Sequence, residues 1–390
     1  MEIGIPELSL IALIGEKSSK KLNFAKKHFA QSEILDLIGL EYEVSKRLEE
    51  GRLTVIELIS IEEKNNTEII KLAKKYHCMP VAIVFNPKRL IEELDKSKEN
   101  KKSVIKDLEA YLEQKGFKKI YLLDSLEEIE NVQVQRIKLP NNKRKLHGPF
   151  DIIGDIHGCY DELCELLEKL GYVVDKHKAT AYSPENRVVV LVGDLVDRGP
   201  KITKVLKLIM WMVKEGRAYC VRGNHDGKLE RKLRGADVQV IHGLEKTLEE
   251  LEAESEEFRQ EVKVFLEGLA SHYVFDEGKL VVAHAGLREK LQGRESARIR
   301  DLAMFGETTG KVDEFGLPIR LNWSETYKGS AFVVYGHTPH IKAKIINNTI
   351  NVDTGCVYGG KLTAFRYPER EIVEVKAKQV YYDSVRPLSD

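Results

Sequence analysis

Long apolar runs are missing from this 390-residue chain; none approaches the ~18 residues that a membrane-spanning helix needs. Met1 is followed by no basic-then-apolar leader, so neither membrane insertion nor secretion is expected. Net charge is missing too, because 62 basic residues meet 62 acidic ones. Such a chain has no global attraction to nucleic acid or lipid headgroups, and a polyanionic substrate must be held by local charge. Cysteine is sparse: Cys78, Cys159, Cys164, Cys220 and Cys356 form no Cys-x-x-Cys pair. Five scattered thiols argue against a disulfide framework and fit a reducing, cytoplasmic location. What is present is ample apolar content, 42%, and a length that favours two domains.

The informative stretch runs from Asp151 to Asp226. Three short blocks stand in it: Gly154-Asp-Ile-His-Gly158, Gly193-Asp-Leu-Val-Asp-Arg-Gly199 and Gly223-Asn-His-Asp226. Each follows an apolar run that reads as a buried strand, Phe150–Ile153, Val188–Val192 and Ala218–Val221. Two later blocks repeat the pattern: Ala283-His-Ala-Gly286 after Leu280–Val282, and Gly336-His-Thr338 after Phe332–Val334. The chemistry therefore sits on loops at strand C-termini, where α/β sheets place ligands.

The residue types suit a pair of metal ions. Asp155 and His157 offer oxygen and nitrogen at one strand end, and Asp194 offers a carboxylate that can bridge. Asn224 adds a neutral oxygen, while His284 and His337 complete the set. Mixed Asp, His and Asn donors favour Mn, Ni, Fe or Zn over Mg or Ca, with Mn the first expectation. A lone Asp-x-His is usually a surface Asp beside a satisfied His; five blocks, each behind a hydrophobic strand, point to one centre. Two such ions can activate a water and clamp a phosphoryl oxygen together. His225 is not needed as a ligand and can donate a proton to a leaving oxygen. Arg198 can clamp phosphate oxygens through its planar fork. Arg222 and Lys361 are candidates for a basic rim facing a nucleic-acid end.

The N-terminal part reads as a small parallel sheet. Strands are predicted at 8–14, Leu53–Ile59, Pro80–Phe85 and Lys119–Leu123, and helices at about 63–77 and 89–116. The first strand runs into Gly15-Glu-Lys-Ser-Ser-Lys-Lys-Leu22, the strand–loop–helix architecture of a phosphate-binding loop. Gly15 and Lys21 fit that pattern. Lys20 stands where a second glycine belongs, and its Cβ obstructs a tight phosphate cradle; Leu22 cannot hold Mg. A polar, basic linker is read at 139–149. The helix Tyr160–Leu170 puts Leu163, Leu166, Leu167 and Leu170 on one face. Residues 228–278 exceed a simple crossover, and the Glu-rich helical segment 243–270 reads as a lid narrowing the mouth of the site.

These blocks resemble the binuclear, calcineurin-like metallophosphoesterase superfamily, which includes Ser/Thr phosphatases and symmetrical diadenosine tetraphosphate hydrolases. Residues 147–159 and 351–364, with Arg366-Tyr-Pro-Glu-Arg370, resemble more closely the central phosphatase domain of bacterial polynucleotide kinase-phosphatase. The resemblance implies a degenerate P-loop kinase-like domain at 1–138, then a phosphoesterase domain at 150–390 formed by a two-sheet β-sandwich flanked by helices. It implies that Asp155, His157, Asp194 and His337 hold one metal, and Asp194, Asn224 and His284 the other. Asp197 resembles the Asp that orients His225, and Asp353 the Asp near Arg198. In the N-terminal domain Glu57 and Asp36 stand at best for the family's acidic residues, and the basic residues of 90–116 are all lysine, with no lid arginine. Kinase activity is therefore not expected. Where the longer bacterial enzymes continue into a ligase, this chain stops at Asp390, so a separate ligase or kinase partner is implied. The expected function is removal of phosphate from RNA or nucleotide ends (3′-phosphate, 2′-phosphate or 2′,3′-cyclic phosphate). The rivals are symmetrical diadenosine tetraphosphate hydrolysis and Ser/Thr protein dephosphorylation.

Overall fold

The structure is a computed structural model that describes residues 1–16, 18–35, 40–58, 64–88, 90 and 101–388. Two units divide at Leu139/Pro140, with Arg294–Ser296 counted in the first. The fold is the mixed α/β one expected, a parallel-sheet N-terminal unit followed by a unit of two packed sheets flanked by helices.

In the N-terminal unit, five parallel strands lie in the order Ile34–Leu35, Thr54–Leu58, Ser9–Ile14, Met79–Phe85, Lys119–Leu123. Their Val/Ile/Leu-rich sequences have apolar side chains on both faces, as a sheet covered twice requires. Helices Ser19–His28, Lys64–Lys75 and Lys101–Lys115 supply covering surfaces. A separate parallel pair, Glu2–Pro6 with Gln133–Ile137, was not foreseen. The loop after Ser9–Ile14 differs from a phosphate cradle in a telling way. Lys21 is buried, and its Nζ donates to Gly15 O at 2.7 Å and Leu58 O at 3.0 Å, so the ammonium closes the loop from inside. Glu57 lies 3.9 Å from that Nζ, and Asp36 falls outside the described residues.

The second unit is a sandwich of two six-stranded sheets. One holds Ala218–Cys220, Val188–Leu191, Phe150–Ile153, Lys361–Tyr367 and Asp353–Thr354 in that order, with Glu371–Lys376 also on Lys361–Tyr367. The other runs Ile345–Ile346, Thr349–Asn351, Phe332–Tyr335, Leu280–Ala283, His272–Phe275, Asn142–Lys143. The last strand lies inside the stretch read as a linker, which is therefore partly sheet edge.

Alternation decides which face each strand buries. Val190 and Val192 enter the core between the sheets with Phe150, Phe275, Val282, Val334 and Phe365, while Val189 and Leu191 face the helical layer. Phe332 and Phe365 stack there at 5.1 Å between centroids. Helices Tyr160–Lys169 and Ile202–Lys214 cover the outer face of the first sheet. Asp151 puts a carboxylate at a fully buried strand position. It accepts from Arg187 Nε at 2.9 Å, Arg366 Nε at 3.0 Å and Tyr172 OH at 2.9 Å, which satisfies its charge inside the protein.

The helices Leu244–Glu252 and Glu256–Glu267 fall in the segment read as a lid; their apolar face backs the first sheet, while Thr247 on the first of them reaches Asp197 beside the site. Leu244, Leu251, Val262 and Leu266 pack into the helical layer behind the first sheet. Glu250 accepts from the backbone N–H groups of Ile202 and Thr203, at 3.1 and 2.9 Å, and so caps the helix that starts there. Amphipathic spacing fixed a buried face for this segment without saying which surface it would cover.

Candidate active site

Every loop that leaves the C-terminal end of a central strand carries a polar group to one place. Asp155 and His157 follow Phe150–Ile153, Asp194 follows Val188–Leu191, and Asn224 and His225 open the helix Asn224–Leu233. His284 follows Leu280–Ala283, His337 follows Phe332–Tyr335, and Asp353 begins a short strand. All but Asn224 and His337 are almost wholly buried. They line a cavity of about 230 Å³ with Arg198, Arg320, Tyr358 and Arg386, save for His284, which lies behind its wall.

The glycines in the motifs have a concrete role. A Cβ on Gly223 would lie 2.1 Å from Asp194 Oδ1, and one on Gly336 would lie 2.1 Å from Asp155 Oδ1. Each glycine leaves room for a carboxylate on a different loop. His157, Asp194, Asp197, Arg198 and His337 all sit in the left-handed region, with φ of 44°, 51°, 71°, 70° and 74°. That conformation is strained for side chains bearing a Cβ.

The hydrogen bonds define what each imidazole offers. His157 Nδ1 donates to Val196 O at 2.8 Å, and His284 Nδ1 donates to Val192 O at 2.9 Å. A carbonyl only accepts, so both rings carry the proton on Nδ1 and turn an Nε2 lone pair into the site. Around His284 Nε2 lie Asn224 Oδ1 at 2.9 Å, His337 Nδ1 at 3.0 Å and Asp194 Oδ2 at 3.4 Å. Asp194 Oδ2 is also 3.5 Å from His157 Nε2. Lone pairs that converge at such distances repel one another unless a cation stands among them. His337 Nε2 is buried with no hydrogen-bond partner among the described residues. The donor set therefore fits divalent metal, with Asp194 common to two clusters: His157, Asp194, His225 and Asp194, His284, His337.

His337 lies against His284 and Asp194, and its backbone N–H donates to Asp155 Oδ2 at 3.2 Å, so it stands between the two groups of donors.

Electrostatics tell the same story. Burial raises Asp194 and Asp353 to about 7 each and lifts Asp155 well above the carboxylate range, with Asp353 and Asp194 adding to the latter. Burial also lowers His157 and His337 well below the usual imidazole value and His284 to about 4. Crowded carboxylates that resist ionising, beside imidazoles that resist protonating, form a site built for added positive charge.

His225 has its own arrangement. Its Nδ1 donates to Asp197 Oδ2 at 2.6 Å, and its Nε2 accepts from Arg198 Nη2 at 2.7 Å. Asp197 Oδ1 accepts from the Thr247 hydroxyl at 2.5 Å, and Thr247 Oγ accepts from Asp197 N at 3.0 Å. Burial raises Asp197 to about 6; burial, then Arg198, lowers His225. Arg198 also donates from Nη1 to His157 Nε2 at 2.8 Å, so one guanidinium spans both rings. Asp353 makes no bond to Arg198 among the described residues; its Oδ1 accepts from Gly355 N at 3.0 Å.

Sequence reasoning gave Asp226 no role. Its carboxylate accepts from the backbone N–H groups of Asp194 at 2.8 Å, Leu195 at 3.0 Å and Gly223 at 3.0 Å, which ties two loops together. Arg320 and Arg386 were missed because neither lies in a motif. Two residues predicted for a basic rim are committed elsewhere. Arg222 is buried and donates to Leu266 O at 2.6 Å, with Glu230 at 3.7 Å; Lys361 pairs with Glu374.

A two-sheet sandwich that gathers Asp, His and Asn donors at its strand ends defines a metal-dependent phosphoesterase. The family model described as calcineurin-like phosphoesterase matches residues 148–341. A bis(5′-nucleosyl)-tetraphosphatase PrpE [asymmetrical] of Halalkalibacterium halodurans is 48% identical over 235 residues, 59% of this chain and 94% of the relative. Proteins of the same name from a Geobacillus strain and from Bacillus subtilis are 44% and 43% identical, covering 60% and 61% of this chain and 96% and 99% of theirs. The chain belongs to the calcineurin-like phosphoesterase family, whose members use divalent metals.

Proposed function

We propose that the protein hydrolyses a phosphoanhydride bond of a dinucleoside polyphosphate, cutting a tetraphosphate asymmetrically into a nucleoside triphosphate and a monophosphate. One observation carries the reading: relatives with 48% and 44% identity over nearly their whole length bear that activity in their name. The site is chemically suited to it, since Arg198, Arg320 and Arg386 place three guanidinium groups around one cavity.

Asp155, His157, Asp194, Asn224, His284 and His337 would hold two divalent transition-metal ions, Mn first among them. Such ions supply Lewis acidity toward water and phosphate oxygens. The protein's own groups do the rest. Arg198 turns its fork toward phosphate oxygens, which compete with His157 and His225 for its N–H groups. His225, steered by Asp197, takes a proton on Nε2 and passes it to the departing oxygen as the P–O bond to the leaving group breaks. Asp353 keeps the negative field around Asp155. Asp226 holds the Asp194 loop in place.

The reading that began from residues 351–370 is RNA-end dephosphorylation, and the parallel-sheet N-terminal unit with its P-loop-like connection favours keeping it as the second one. The apolar face of the 243–267 helices packs behind the first sheet while His242 and Thr247 stand at the edge of the site, so this segment by itself does not choose between the two substrates. Side-by-side kinetics on diadenosine tetraphosphate, a 3′-phosphorylated RNA and a nucleoside 2′,3′-cyclic phosphate decide between them. Product analysis tests the position of cleavage: ATP with AMP is expected, and two ADP would make the hydrolase symmetrical. A kcat/KM on the RNA end exceeding that on the tetraphosphate by tenfold or more would put the RNA reading first.

A further inference from the structure

A second cavity, of about 350 Å³, adjoins the first and shares Arg320, His337, Thr338 and Arg386 with it. We propose that this second cavity, walled by Trp323, Tyr335 and the Pro318–Arg320 strand, receives a nucleoside of the substrate while Arg320 and Arg386 hold the phosphates running into it. The proposal rests on the dinucleoside polyphosphate reading above and names the subsite that such a substrate needs.

Four observations carry it. The volume lies in the ~300–1,000 Å³ range of small-molecule sites. The wall is aromatic, with the Trp323 and Tyr335 rings 5.1 Å apart, and flat π faces are what a base stacks on. Ile319 and Leu321 add apolar surface from the strand and its end. The acidic groups in the wall are already paired, Asp313 with Arg386 at 3.2 Å and Glu307 with Arg288 at 2.9 Å, so they do not repel a phosphate chain as free carboxylates would. The cations stand at the junction of the two cavities, where a polyphosphate must pass from the reacting end to the nucleoside.

The geometry also explains why the hairpin exists. Strands Thr308–Val312 and Pro318–Arg320 are mostly exposed and give little to the core. Their position is fixed by Arg386 on Asp313 and by Arg320, which donates to Phe305 O. Burial lowers Arg320 only to about 10, so it keeps its charge at neutral pH.

The test uses the full chain loaded with Mn and the variant Ile319→Trp, which fills the cavity from a residue 39% exposed, where a larger side chain leaves the fold intact. The ratio of kcat/KM on diadenosine tetraphosphate to that on p-nitrophenyl phosphate should fall tenfold or more, mainly through KM. An unchanged ratio overturns the subsite. Photolabelling with 8-azido-ATP, competed by ATP and mapped by peptide mass spectrometry, gives a readout independent of turnover. Label within 317–338 supports the pocket, and label confined elsewhere overturns it. Label at 317–338 in an enzyme that leaves diadenosine tetraphosphate intact would keep the nucleoside pocket and sink the tetraphosphatase reading instead.

Discussion

Replacing Asp197 by Asn should disable His225 without moving it. In the wild type, Asp197 Oδ1 takes the Thr247 hydroxyl proton and Oδ2 takes the His225 Nδ1 proton. Thr247 Oγ already accepts from the Asp197 backbone N–H, so its one proton still seeks an acceptor in the variant. The amide oxygen is therefore drawn to Thr247, and the amide NH2 faces His225 Nδ1. Two donors cannot share a 2.6 Å contact. The ring must put its proton on Nε2, which then meets Arg198 Nη2 at 2.7 Å, again donor against donor. The variant thus loses the correct tautomer and the anion that stabilises an imidazolium. Loss of general acid catalysis is worth ~10²–10⁴-fold, about 3–5 kcal/mol in the barrier. The dependence on leaving group makes the assay specific. p-Nitrophenolate departs with little help and phenolate needs a proton, so the defect on phenyl phosphate should exceed that on p-nitrophenyl phosphate by at least tenfold. Equal defects on both, or a kcat within threefold of wild type on phenyl phosphate, would refute the assignment of His225 as proton donor.

Asp194→Asn removes the carboxylate common to both donor clusters; bound Mn, read by elemental analysis, and p-nitrophenyl phosphate turnover should fall together, the latter by several kcal/mol. Asp151→Ala leaves Arg187, 5% exposed, and Arg366 without their buried anion and should cost ~3–5 kcal/mol in urea unfolding. His272, lowered to about 3 by burial, accepts from Gly293 N at 2.9 Å and stays neutral when folded. Its stabilisation is complete above the ordinary imidazole value and is lost as pH falls from there toward 3, by ~1.4 kcal/mol per pH unit, and His272→Gln should flatten that part of the stability profile. Incubation with labelled ATP and a 5′-hydroxyl oligonucleotide, with Asp194→Asn blocking phosphate removal, should give background labelling, because the Lys21 ammonium is already spent on Gly15 O and Leu58 O.

The central strands were legible because they are short apolar runs that end in glycine and a ligand; that they pack as two sheets came from the family resemblance. Strand and loop announce each other within ten residues, so Phe150–Ile153 and its Asp155/His157 pair are found together. Non-local choices were hidden. The spacing of Leu244, Leu251, Val262 and Leu266 shows a buried face, but whether it covers a site or backs a sheet depends on helices elsewhere in the chain. Arg222 sits in the motif region and reads as part of a basic rim, yet the carbonyl of Leu266 claims it. Arg320 and Arg386 lie in segments with no periodicity and meet only because the hairpin and the C-terminal segment fold onto the same cavity. Asp226 was in view but looked like a turn residue; its three backbone partners lie on two loops.

Five non-glycine residues of the strand-end motifs hold left-handed backbones. Each costs ~1 kcal/mol or more relative to glycine, which adopts that region freely. Exchanging one of them for glycine relieves that backbone cost but also removes the side chain's bonds, such as those of Asp197 to Thr247 and His225, so the net change in melting temperature differs from position to position while catalysis is lost at all five. A lineage released from selection for turnover would keep Asp197 only for its bonds to Thr247 and His225, so drift toward glycine should come first where the side chain is least bonded within the fold. The left-handed positions are in this sense a record of use, legible position by position against the bonds each side chain makes.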